Sequence, residues 1–246
     1  YGKSLTAHLH DLGLLSPRFS AAHFVWPDDE DLSRMADSGC SVAHNPGSNL
    51  RLGSGIAPVR AMRERGLRVG IGTDGSSCSD NQNMFDAMRI AAFVSRVVSA
   101  DYETRIGADE VIDMATCGSA AVLGFQNDLG RLAPGYLADV VFLDLGNINY
   151  VPLNDPTHQV VLNEDSSAVH SVMIGGKMVL KDRAFTEFDF EELAKEAQAT
   201  VERLGEASTE MKNFSAAMES TVGAFCIGLA RAPHHVHRLL DVVSFI

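Results

Sequence analysis

At 246 residues, with 46% hydrophobic and 21% charged residues, the chain has a globular composition and is long enough to bury a core in one large or two modest domains. A formal net charge of −12 without a basic cluster argues against a nucleic-acid partner and mildly favours a neutral or cationic small molecule. No apolar run reaches the roughly 20 residues of a membrane span, the first residues do not pattern as a signal peptide, and Cys40, Cys78, Cys117 and Cys226 form no CxxC pair, so a cytoplasmic protein with reduced thiols is expected.

In chain order, residues 4–12 predict a helix with Leu5, Leu9 and Leu12 on one face and Gly13 as its stop. Phe19–Val25 predicts a short buried strand. Asp28–Ser38 predicts a helix whose acidic opening suits the positive end of its dipole. Cys40–Ala43 is the second strand, followed by a turn-rich stretch from His44 to Gly55. A helix over Ala57–Arg65 leads into a third strand, Leu67–Ile71, which ends in Gly72-Thr73-Asp74-Gly75, and a long amphipathic helix follows over Met84–Val98. Alternating elements at this spacing predict parallel βα units. Beyond about residue 125 the character changes. Ala138–Leu143 predicts a strand, Ser171–Ile174 and Lys177–Leu180 a hairpin turned by Gly175-Gly176, and the stretch from Glu191 onward a mainly helical tail packed on the surface. The divisions expected are 1–126, 127–186 and 187–246.

Each of the first three strands ends in a polar cluster: His23, then His44-Asn45, then Thr73-Asp74. In parallel α/β folds, chemistry sits at the carboxyl ends of strands. Asp74, between glycines, can point a carboxylate into a site and could ligate a divalent metal or take a proton; as an isolated residue it could equally form a turn or cap a helix. His23 could be catalytic or a hydrogen-bonded core histidine. His44, Asn45 and Ser48 could hold their turn together or bind a heterocycle. The pair His8 and His10 is rejected as a metal site, because residues two apart on a helix diverge by about 200°. His234, His235 and His237, in a tail without strand-end context, suit a surface or an interface better than a metal.

Taken together, Ala22-His23, the run Val42-Ala43-His44-Asn45-Pro46-Gly47-Ser48-Asn49, the run from Leu52 to Pro58, and Gly72-Thr73-Asp74-Gly75 resemble the amidohydrolase superfamily, and more closely its ATZ/TRZ branch of chlorohydrolases and aminohydrolases. Asn83–Arg89 and the segments Gly130–Leu132 and Ala138–Val141 extend the resemblance, which covers roughly residues 1–180. It implies a distorted (β/α)8 TIM-like barrel, of which only the C-terminal strands are present, with a small β-sandwich subdomain. It implies Asp74 as metal ligand and proton shuttle, His23 as the histidine that orients hydroxide or substrate, and His44, Asn45 and Ser48 as substrate-binding. The implied cofactor is Zn²⁺, with Fe²⁺ as the alternative, and the implied assembly a homo-oligomer. The implied activity is hydrolytic deamination of a small-molecule nitrogen heterocycle such as guanine, 8-oxoguanine, a pterin or cytosine; triazine hydrolysis and a non-catalytic binding role are the alternatives. The family's HxH pair and its fifth-strand His and Glu are missing from this sequence, and the chain has no initiator Met, so a C-terminal portion, inactive on its own, is expected.

Overall fold

The computed structural model describes residues 2–230. Its first helix, α1 (Leu5–Asp11), starts where the Ser4 hydroxyl accepts the Ala7 N–H at 3.1 Å. The leucine face does not pack as expected. Leu5 and Leu12 face water, Thr6 is the buried residue, and Ser4 ties the helix to Asp31. A short strand, β1 (Ser20–Ala22), leads into α2 (Asp29–Asp37), which Asp28 caps by accepting the Asp31 N–H at 2.7 Å. Next come β2 (Ser41–His44), α3 (Pro46–Arg51), α4 (Val59–Glu64) and β3 (Arg68–Ile71).

The turn-rich reading of residues 44–55 needs correction, since its first half is α3. Pro46 occupies the first helical turn, where its fixed φ favours the helix and its missing N–H costs nothing. After β3 come α5 (Ser76–Ser79) and α6 (Met84–Val94). The expected continuation of α6 to Val98 is cut short at Ser95. That hydroxyl donates to the Ala92 carbonyl at 2.7 Å and accepts the Ile106 N–H at 3.1 Å, which turns the chain. Then follow α7 (Ala108–Asp113), a π-helical turn (Met114–Gly118) and α8 (Ser119–Val122), none of which the sequence reading resolved.

The three strands pair in parallel in chain order, β1-β2-β3, with Ala22 beside Ala43 and Ala43 beside Gly70. This register brings all three carboxyl ends to one edge. A single apolar core fills the space between sheet and helices, centred on Met35, Val42, Met62, Val69, Val111 and Met114.

The second half carries β4 (Val140–Leu143), α9 (Pro156–Leu162), β5 (Val169–Ile174), β6 (Lys177–Lys181) and β7 (Ala184–Phe185), the strands forming one antiparallel sheet in the order β4-β5-β6-β7. Gly175 and Gly176 both take positive φ, 56° and 82°, as a two-residue hairpin turn demands. A sandwich takes two facing sheets; among the described residues, 127–186 hold one. The tail forms α10 (Phe190–Ala207) and α11 (Thr209–Ala230). It is helical as expected but not packed as expected, because α10 buries none of its residues. His234, His235 and His237 lie outside the described residues.

Candidate active site

At the carboxyl edge of the parallel sheet, three residues, His23, Phe24 (φ 46°) and Asp74, adopt a backbone that non-glycine residues rarely take. His23 (φ 67°) directly follows β1 and Asp74 (φ 61°) lies three residues beyond β3. Such conformations cost about 1–3 kcal/mol each and persist where the surroundings enforce them. At β1 the enforcing bonds are His23 N–H to the Ala43 carbonyl (2.9 Å) and Phe24 N–H to the Ala22 carbonyl (2.8 Å). At β3, Gly72 N–H donates to the His44 carbonyl at 2.9 Å, and Asn45 lies flat against Gly72, where any Cβ would overlap its side-chain oxygen.

These turns bring the His23 Nε2 to 3.6 Å from Asp74 Oδ2. Helix α3 holds both side chains through consecutive residues. The Ser48 hydroxyl donates to Asp74 Oδ2 at 2.6 Å, and Asn49 Oδ1 lies 2.8 Å from His23 Nδ1. Both helix residues are buried. An amide oxygen only accepts, so the His23 Nδ1 that faces it is a donor, and Nε2 is the ring nitrogen that faces Asp74. The Ser48 hydroxyl above all, then the Gly75 N–H (2.7 Å to Oδ1), and more weakly His23, hold the Asp74 carboxyl below the usual carboxylate range. A half-exposed imidazole nitrogen beside an ionised carboxylate can take part in moving a proton.

The structure thus brings four of the residues singled out from sequence, His23, Asp74, Asn45 and Ser48, to one strand edge. Ser48 spends its hydroxyl on Asp74. His44 is different: it is the last residue of β2, 1% exposed, with neither ring nitrogen hydrogen-bonded. Burial, and secondarily repulsion from His23, pushes its pKa down to about 4. Asn49 falls in the stretch that the sequence predicts as turn-rich; its role as partner of His23 depends on α3. The available signal was Pro46, which starts a helix and sets Ser48 and Asn49 on its first turns.

Among the described residues, no group of three or more His, Cys, Asp or Glu side chains could hold a metal ion. A zinc site takes three or four protein ligands, so Asp74 and His23 do not make one by themselves.

The model of the amidohydrolase family matches residues 2–179. The chain is 39% identical over 209 residues to 5-methylthioadenosine/S-adenosylhomocysteine deaminase 1 of Syntrophus aciditrophicus, covering 85% of this chain and 47% of that protein. It is 33% identical over 193 residues to the 5-methylthioadenosine/S-adenosylhomocysteine deaminase of Pyrococcus abyssi, covering 78% and 45%. Among solved structures, a zinc-bound adenosine deaminase from Xanthomonas campestris superposes with a TM-score of 0.80 at 32% identity over 82% of this chain and 46% of that one. The atrazine chlorohydrolase TrzN of Arthrobacter aurescens TC1, complexed with zinc, gives 0.77 at 32% identity over 81% and 44%. The chain spans about half the length of the curated relatives it matches. The family model covers most of the sequence, and the site lies within the matched residues: the chain belongs to the amidohydrolase family.

Proposed function

We propose that this chain supplies the proton-handling part of a hydrolytic deaminase that acts on an aminopurine nucleoside. The observation that carries the reading is the His23–Asp74 pair at adjoining strand ends, each member fixed by its own buried partner on α3. The substrate class rests on the deaminases among its relatives, whose names specify adenine nucleosides. In the reaction, water adds to the amino-bearing ring carbon, a C–O bond forms, the C–N bond breaks and ammonia leaves. Asp74, ionised at neutral pH, takes a proton from the attacking water and returns it to the leaving amine. The His23 Nε2 stabilises the transferred proton and orients the attacking oxygen. The zinc or iron ion implied by the family resemblance would need ligands beyond these two residues.

Triazine hydrolysis is the second reading, favoured by the similar superposition on atrazine chlorohydrolase. Chloride or alkylamine release from triazines, set against ammonia release from 5-methylthioadenosine and adenosine, separates the two. In a polypeptide that also supplies the remaining metal ligands, Asp74→Asn keeps the shape and removes the base, so ammonia release should fall by about 10²–10⁴-fold. Near-normal turnover in that variant would sink the assignment.

A further inference from the structure

Helices α10 and α11 leave a long row of apolar side chains in water: Phe190, Leu204, Met211, Phe214 and Phe225 are all more than half exposed. The row is periodic. Phe190, Ala197, Leu204, Met211, Met218 and Phe225 recur every seven residues without a break across the junction at Ser208. Hydrogen bonding runs on through that junction, from Ser208 N–H to the Leu204 carbonyl and from Lys212 N–H to the Ser208 carbonyl. None of the ten charged residues between 191 and 225 falls on this row, on the row three residues later (Leu193, Thr200, Ala207, Phe214, Thr221), or on the row four residues later. A seven-residue repeat sustained over more than three or four heptads is the pattern of a helix that covers its seam with another helix in a left-handed coiled coil.

We propose that this seam is a dimerisation element, closed by the same helices of a second copy running antiparallel. Size and charge choose the partner and the register. With a two-fold axis between residues 205 and 206, Ala197 faces Phe214 of the second copy, Thr200 faces Met211, and Leu204 faces Ala207. Large side chains therefore meet small ones at these layers and at Phe190 with Thr221, while Leu193 meets Met218. The same register sets Arg203 beside Glu210 of the second copy, twice by symmetry. A slip of one heptad one way opposes Arg203 to Arg203, and a slip the other way opposes Glu210 to Glu210, so both neighbouring registers are repelled. A parallel pair would match neither charge. The overlap from 190 to 221 makes an interface about 48 Å long at 1.5 Å per residue.

The test is sedimentation equilibrium on the full 246-residue chain. The expected result is a dimer of twice the 26.5 kDa chain mass, and a monomer in Leu204→Glu and in Met211→Glu. These side chains are exposed in the single chain, so their replacement leaves its fold intact, which circular dichroism checks. Arg203→Glu and Glu210→Arg should each weaken the dimer by about tenfold or more, and the double exchange should restore it. A monomeric unmodified chain, a dimer indifferent to Leu204→Glu, or a double exchange that stays weak would each overturn the proposal. None of these readouts involves catalysis, so they stand apart from the proposed deaminase activity.

Discussion

At the end of β2 the His44 imidazole is enclosed with both nitrogens unpartnered, and its pKa lies near 4 instead of the ordinary 6.5. A base whose folded pKa is lowered binds fewer protons folded than unfolded between those two values. Its contribution to stability is therefore intact above pH 6.5 and drains away as pH falls towards 4. A shift of this size corresponds to about 3 kcal/mol. Urea midpoints of the unmodified protein should fall steadily from pH 6.5 to 5, whereas those of His44→Gln, which cannot titrate, should stay nearly level. Parallel slopes in the two proteins would refute the assignment. In the sequence, His44 sits just past a predicted strand end and looks available to a ligand. The actual strand runs one residue further, and a strand covered by helices keeps its last side chain inside. Asp74 was legible as a strand-end residue because the glycines around it mark the turn, whereas His23 falls inside the predicted strand Phe19–Val25 and reaches the edge because the actual strand stops at Ala22. The bond from Asn49 to His23 was not legible, since 26 residues separate them and only the fold closes the gap.

Among the elements, the π-helical turn Met114–Gly118 shows what periodicity misses. One wide turn shifts the phase of the apolar pattern between α7 and α8, so no 3.6-residue repeat survives across 108–122. The wide turn presses helix backbone directly onto β3. A Cβ on Gly118 would run into the Val69 carbonyl oxygen, and one on Gly70 would lie 2.7 Å from Ser119 Cα. Ser119 then fastens the joint, its hydroxyl accepting the Ile71 N–H at 3.1 Å within reach of the Ile71 and Met114 carbonyls. Because β3 delivers Asp74, this contact fixes the height of the carboxylate. Gly118→Ala meets backbone, which cannot rotate away, so a loss of about 3 kcal/mol or more is expected. Thermal unfolding measures it, and a variant within about 0.5 kcal/mol of the unmodified protein, the scale of a neutral surface change, would mean the two backbones are not in contact. By contrast the hairpin at Gly175-Gly176 was legible from residues alone, because its turn type dictates its residues.

On the scale of the whole molecule, the order of the parts, βα units and then an antiparallel sheet, could be read along the chain, but the joint between them could not. That joint is apolar at Val161 on α9, which is buried in the core of the parallel half, and polar at Arg89 on α6, whose partners lie 73 and 75 residues away. Its Nε donates to the Leu162 carbonyl at 3.0 Å, another guanidinium nitrogen donates to the Glu164 carbonyl, and Asp86 holds the group in place at 3.1 Å. The end of a helix exposes carbonyls that need donors, and Arg89 meets that need at the end of α9. Asn83 adds a bond to the Asp165 carbonyl at 3.1 Å, and the buried Glu164 carboxylate takes the Ala168 N–H at 3.1 Å, just before β5. The parallel sheet, through α6, therefore holds the segment that launches the antiparallel one. Replacing Arg89 by Met keeps the aliphatic stem and removes two charge-assisted bonds to backbone, a loss of about 2–4 kcal/mol. The loss should fall unevenly, because each sheet keeps its own strand pairing. Amide exchange in β5 and β6 should accelerate well beyond that in β2 and β3, as expected when one part opens without the other. Equal acceleration in both sheets would mean that the molecule unfolds as one body and that Arg89 is one contact among many.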